Sequence, residues 1–108
     1  MLSLDGITAL RYYNMMIKSF RDRQTEMVFR RQFSRRLPQD IQRSALRRLT
    51  FLHAAKELND LYSPPSNRLE SLAGDRSGQY SIRINEQWRI CFEWLESDAY
   101  NVEIVDCH

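Results

Sequence analysis

The chain has little cysteine, little histidine and no long apolar run, and each scarcity removes a class of protein. Two cysteines in 108 residues, Cys91 and Cys107, are too few for the disulfide framework of a small secreted domain. Cys91 falls on a predicted strand, so reduced thiols in a cytosol are the simpler reading. No apolar stretch approaches ~18 residues, the length a membrane-spanning helix requires. The first fifteen residues lack the charged start and apolar stretch of a signal peptide. The two histidines and two cysteines do not have zinc-ligand spacing, and no metal-ligand cluster appears. A soluble, cytoplasmic protein without metal or cofactor is expected.

What is present suffices for one folded domain. A chain of 108 residues with 43% hydrophobic content can bury roughly 60% or more of its unfolded surface, enough for a core without staples. The net charge of +2 hides an asymmetry. Residues 18–48 hold ten Lys or Arg against three acids, a local balance of +7, so the remainder is acidic overall. A basic half of this kind is the electrostatic footprint of a nucleic-acid binder, although solvated helical faces share it.

Apolar periodicity orders the elements. Residues 1–14 show no clear period. The short alternating stretch Ile17-Lys18-Ser19-Phe20, opened by Met15-Met16, reads as a first strand. Asp22 can cap a helix running through Met27, Phe29 and Phe33, with Asp22 and Glu26 at its positive end. Pro38 suits the first turn of a second helix, along which Ile41, Ala45, Leu49, Leu52, Ala55 and Leu58 form a core stripe. Arg43 and Arg47, one turn apart, share another face. The Pro-Pro segment between Asn59 and Arg68 stops the helix, and Gly74 to Gly78 is a second turn region. Three strands follow. The fold class is therefore α+β, with an N-terminal strand and two helices packed on one face of an antiparallel sheet, the other face left open for a ligand.

Strand register makes that open face informative. Tyr80, Ile82 and Ile84 alternate with Ser81, Arg83 and Asn85; Trp88, Ile90, Phe92 and Trp94 alternate with Arg89, Cys91 and Glu93. A two-residue hairpin loop would turn one apolar set into water, because a one-residue slip reverses every side chain. A three-residue loop, Asn85-Glu86-Gln87, pairs Ile84 with Trp88, Ile82 with Ile90 and Tyr80 with Phe92. It also sets Arg83 directly opposite Arg89. Like charges so opposed cost up to ~1 kcal/mol, which an anion between them would relieve. In the third strand Tyr100, Val102 and Ile104 alternate with Asn101, Glu103 and Val105. Glu103 can then neutralise Arg89, and Glu93 can neutralise Arg83, so local ion pairing stands beside the anion-site reading.

Several stretches together resemble the HigB-type toxins of the RelE/ParE toxin–antitoxin superfamily: Met16-Ile17-Lys18-Ser19-Phe20, Asn67-Arg68-Leu69-Glu70, Gly74-Asp75, Tyr80 to Asn85, Gln87-Trp88-Arg89-Ile90 and the closing Val105-Asp106-Cys107-His108. Their order, spacing and termination at His108 carry the resemblance, which spans residues 16–108. It implies a RelE-like microbial RNase fold and a metal-independent, ribosome-dependent endoribonuclease that cuts mRNA and inhibits translation. It also implies a HigA-type helix-turn-helix antitoxin through which the pair reaches operator DNA. Family members commonly begin at the equivalent of Met16, so residues 1–15 look like an N-terminal extension.

RNA cleavage of this kind uses the ribose 2′-OH as nucleophile, so the protein must supply a base, an acid and cations for the phosphorane charge. The resemblance points to Arg89 for phosphate stabilisation, His108 as proton carrier, Glu70 as base and Asp106 beside His108, where it favours the imidazolium. Arg83, Arg68, Arg76, Arg43 and Arg47 are the expected RNA-binding residues. Three positions depart from the family pattern, where His is common at Glu70, Lys at Ala73 and Tyr at Cys107. They imply weaker or differently tuned cleavage. Two other functions fit the same residues: a ParE-like DNA gyrase poison, and a degenerate non-catalytic nucleic-acid-binding partner acting as co-repressor.

Overall fold

The computed structural model describes residues 17–107. The expected extension and His108 lie outside the described residues. Helix α1 spans Arg23–Phe29, and its start is set by Asp22, whose Oδ1 accepts from the Thr25 amide at 2.7 Å. The helix is shorter than its apolar pattern suggests. It stops at Arg30, Arg31 adopts φ 65°, and Phe33 lies beyond the end with more than half its surface in water. A side chain from the next helix closes this turn: Gln42 accepts from the Ser34 amide at 3.0 Å and donates to the carbonyls of Ser34 and Leu37.

Helix α2 spans Gln39–Ala54, with Pro38 at its N-cap. Ile41, Ala45, Leu49 and Leu52 are its buried stripe, as the 3.6-residue period requires, and Ala55 closes it at the C-cap. Leu58 falls beyond the helix, in a 3₁₀ turn over Leu58–Tyr62. A second 3₁₀ turn, Pro65–Asn67, ends on Arg68 in the left-handed region.

Four antiparallel strands form a meander in sequential order: β1 Glu70–Ser71, β2 Gln79–Arg83, β3 Trp88–Leu95 and β4 Asp98–Asp106. The two-residue β1 is too short to show a period and is absent from the sequence-based expectation. The β2–β3 register is the expected one, pairing Tyr80 with Phe92, Ile82 with Ile90 and Arg83 with Arg89. The hairpin loop is also the expected one: the Ile84 and Asn85 amides both reach the Trp88 carbonyl, and Asn85 Oδ1 accepts from the Gln87 and Trp88 amides.

The β4 register departs from the expected one. A bulge between Cys91 and Glu93, with Asn101 at φ 53°, inserts one residue, so Glu93 pairs with Tyr100 and Trp94 with Ala99. The insertion reverses side-chain parity at that end. Ala99, fully buried, takes the core place expected for Tyr100. The predicted first strand is reduced to two isolated parallel bridges, Ile17 to Ala99 and Phe20 to Val102. With the bond from the Ile104 amide to Thr25 Oγ1, they cover the free edge of β4.

The core lies between the helices and one sheet face: Val28, Leu49, Leu52 and Leu61 pack with Ile82, Ile90, Phe92, Val102 and Ile104. No helix of the described residues is long and apolar enough to cross a membrane.

Candidate functional site

The face of the sheet opposite the core is not bare. Glu70, Ser81, Cys91 and Glu103 form a row across all four strands, and the last three are buried. Arginine side chains lie over them. Arg76, from the 3₁₀ turn Gly74–Arg76, donates from Nη1 to Glu103 Oε2 at 3.1 Å and to Gln79 Oε1 at 3.0 Å. Arg21 meets the same Glu103 oxygen at 3.2 Å and Glu93 at 3.8 Å. Glu103 and Glu93 are thus engaged by Arg21 and Arg76, and not by Arg89 and Arg83 as their spacing suggested. The reason lies in topology: Arg21 follows the segment that bridges to β4, and Arg76 precedes β2, so both reach carboxylates that a hairpin-only view assigns to the hairpin arginines.

Arg89 is held by neutral acceptors. Nε donates to Ser81 Oγ at 2.7 Å, and Nη2 donates to the Arg68 carbonyl at 2.7 Å. Glu70 Oε1 stands 3.9 Å from Nη2, a loose ion pair with an exposed carboxylate. Nη1 makes no hydrogen bond with any described residue. The Arg89 side chain is only 14% exposed, so the fork is fixed in place with one donor edge unspent. Such a fork suits two oxygens of a phosphate.

Arg83 pairs with Arg89 in register, yet makes no ion pair with a described residue. It lines, with Arg48 and Arg68, a groove of about 430 Å³ at the hairpin end of the sheet. The two guanidinium groups therefore serve adjoining spaces, which relieves the repulsion their register implies. Cys107, one residue past β4, lies within the electrostatic reach of Arg89, Arg76 and Glu70; partial burial raises its thiol, with the arginines pulling the other way. Burial pushes the Cys91 thiol up to about 11, so it stays protonated beneath the arginines.

The structure brings together Arg89, Glu70, Arg68, Arg83 and Arg76 from the sequence-based set. Asp106 pairs with Trp88 in register and accepts from Gln87 Nε2 at 3.0 Å, and its expected neighbour His108 lies outside the described residues. Arg43 lines a separate groove with Val28, Phe33 and Leu46 between the helices. Arg47 stacks over Phe51, 5.6 Å from the ring centre. Three participants were missed: Ser81, Arg48 and Asn67. Ser81 has a sequence signal, since it shares the predicted polar face with Arg89. The Arg48–Asn67 contact has none, because it joins residues nineteen positions apart.

Comparison with known proteins identifies a family. A family model described as RelE-like toxin of type II toxin–antitoxin system HigB matches residues 18–108. Toxin HigB-1 of Vibrio cholerae serotype O1 is 38% identical over 87 residues, covering 80% of this chain and 92% of the relative. Endoribonuclease HigB of Proteus vulgaris is 34% identical over 94 residues, covering 86% of this chain and all of the relative. An uncharacterized protein of Haemophilus influenzae is 33% identical over 67 residues, 62% of this chain and 66% of that one.

Proposed function

Because the chain belongs to the RelE-like HigB toxins of type II toxin–antitoxin systems, we propose that it arrests translation by cutting mRNA through the Arg89 site. One observation carries the reading: the Arg89 fork, fixed by Ser81 and the Arg68 carbonyl, turns an unspent donor edge to an open face beside the Glu70 carboxylate. The Proteus vulgaris relative is named an endoribonuclease, which supports the same chemistry here.

In this mechanism the ribose 2′-OH attacks the adjacent phosphorus as its proton passes to the Glu70 carboxylate. Negative charge grows on the non-bridging oxygens, where a pre-set guanidinium is worth most because it needs no reorganisation. The P–O5′ bond breaks, and the leaving oxygen takes a proton from an acid, the role assigned to His108. The products are a 2′,3′-cyclic phosphate and a free 5′-hydroxyl. Glu70 replaces the His that many relatives carry, and the loose 3.9 Å contact leaves its carboxylate available as a base. Ribosome dependence, neutralisation by a HigA-type helix-turn-helix antitoxin, contact with operator DNA through that antitoxin and action in the cytoplasm complete the proposal.

The test is cleavage of a defined transcript in a reconstituted translation mixture, with and without ribosomes. Products with 5′-hydroxyl ends only when ribosomes are present support the full reading. Intact transcripts together with inhibited DNA supercoiling transfer the chain to the gyrase-directed class.

A further inference from the structure

The groove beside the Arg89 site has a composition that the cleavage step does not use. Arg48, Arg68 and Arg83 line it together with Ser66 and Asn85, and no carboxylate of the described residues lines it. Arg48 is a built feature, not a solvated helix residue. Its Nη1 donates to Asn67 Oδ1 at 2.8 Å, and Asn67, fully buried, spends its Nδ2 on the Leu61 and Ser63 carbonyls at 3.1 and 3.3 Å. Asn67 is therefore fixed, and it fixes the guanidinium. Arg48 Nε is buried with no hydrogen-bond partner among the described residues. An unsatisfied buried donor on a cation is costly, and an anion in the groove would offset the charge of the guanidinium that carries it. Burial and the neighbouring Arg47 charge pull the Arg48 pKa down, and the Phe51 ring, 5.8 Å from the guanidinium carbon, offsets only part of that.

Arg68 joins the two spaces. Held at φ 45° and ψ 59°, a backbone region a non-glycine residue occupies at some cost, it gives its carbonyl to Arg89 and leaves its side chain exposed in the groove. Arg83, opposite Arg89 in register, lies on the boundary. The groove thus begins where the cleavage site ends.

Building on the RNA-cleaving reading above, we infer that the Arg48–Arg68–Arg83 groove is a second phosphate site, which takes a backbone phosphate of the same RNA strand next to the scissile one and anchors the strand without acting in the bond change. The ligand class is a phosphodiester of single-stranded RNA. The site sets affinity and strand direction, and Arg89 sets rate.

The test uses the full chain and a fluorescent 2′-O-methyl octaribonucleotide, which lacks the nucleophile and cannot be cut. Association is measured by anisotropy across a salt series for wild type, Arg48→Gln, Arg68→Gln and, as a basic control outside the groove, Arg35→Gln. Loss of one phosphate contact on a single strand lowers the salt slope by about 0.7, or roughly fivefold in affinity at 0.1 M salt. That change in Arg48→Gln and Arg68→Gln, with Arg35→Gln near wild type and thermal midpoints unchanged, supports the site. Arg68→Gln keeps its backbone carbonyl, so it decides the matter if Arg48→Gln does not fold. Wild-type slopes in both groove variants overturn the inference, and they leave the cleavage reading standing if Arg89→Ala still abolishes cutting. Wild-type slopes with saturation of the Arg48 Nε–H resonance by inorganic phosphate assign the groove to a free anion; wild-type slopes with lost antitoxin binding assign it to an acidic protein segment. Either overturns the strand-anchoring role. A wild type that neither binds the oligonucleotide nor cuts mRNA overturns both readings.

Discussion

Arg89 donates to the backbone carbonyl of Arg68 at 2.7 Å, so the centre of the sheet face is tied to the left-handed turn that ends the Pro65–Asn67 segment. With the Ser81 bond, this fixes two of the three guanidinium nitrogens and leaves the third without a hydrogen-bond partner among the described residues. A lysine cannot do the same, because a single ammonium has no planar fork. Arg89→Lys is expected to lose about 100-fold or more in cleavage rate while keeping a wild-type thermal midpoint, measured with a defined transcript on ribosomes.

Ser81 is fully buried and its hydroxyl accepts from Arg89 Nε. In Ser81→Ala the guanidinium loses one anchor and its Nε loses its partner. The expected result is a kcat about tenfold lower with KM little changed, and a stability loss of ~1–2 kcal/mol in urea titration. A raised KM with unaltered kcat would show that Ser81 matters for binding and not for aiming Arg89.

Leu49 lies at the centre of the α2 stripe and is fully buried against the sheet. Leu49→Ala removes methyl groups that the surrounding residues cannot replace. Destabilisation of about 2–5 kcal/mol is expected, read from the urea midpoint. A value below 1 kcal/mol would mean that the helices pack less firmly on the sheet than the buried stripe indicates.

His53 gives the fold a pH dependence. Burial lowers its pKa below the ordinary 6.5, its Nδ1 has no hydrogen-bond partner among the described residues, and its ring lies 5.0 Å from that of Phe29. The folded state holds the neutral form, so below pH 6.5 the unfolded chain binds more protons. The stabilisation is complete above the unfolded value and is lost as pH falls through 6.5 towards the lower folded value. Denaturation midpoints should drop between pH 7.5 and 5.5, and His53→Phe should drop less. Parallel declines for the two proteins would assign the effect to other groups.

How much of this was legible in the sequence depends on the distance over which each feature is set. The hairpin register was legible because two alternating runs admit one loop length that buries both apolar sets, and so Arg83 met Arg89 as expected. The α2 stripe was legible for the same reason at helical period. Tyr100 was misplaced because a bulge changes parity without a local signal stronger than Asn101 itself. Phe33 was misplaced because α1 ends where Gln42, a residue of the next helix, takes over the backbone of Ser34 and Leu37. The partners of Glu93 and Glu103 were misassigned because Arg21 and Arg76 approach from segments that spacing within the hairpin does not include. The candidate site was legible as a set of arginines, while the grip of Ser81 and Arg68 on Arg89, and of Asn67 on Arg48, required the fold.

In the proposed mechanism Arg89 stabilises a phosphate undergoing cleavage. That role is read out by inducing the chain without its antitoxin and mapping mRNA 5′ ends by primer extension, for wild type and Arg89→Ala at matched protein levels. New, discrete 5′ ends within translated messages are expected for wild type and none for Arg89→Ala, with antitoxin binding retained by both. The same 5′ ends at the same intensity in Arg89→Ala would contradict it.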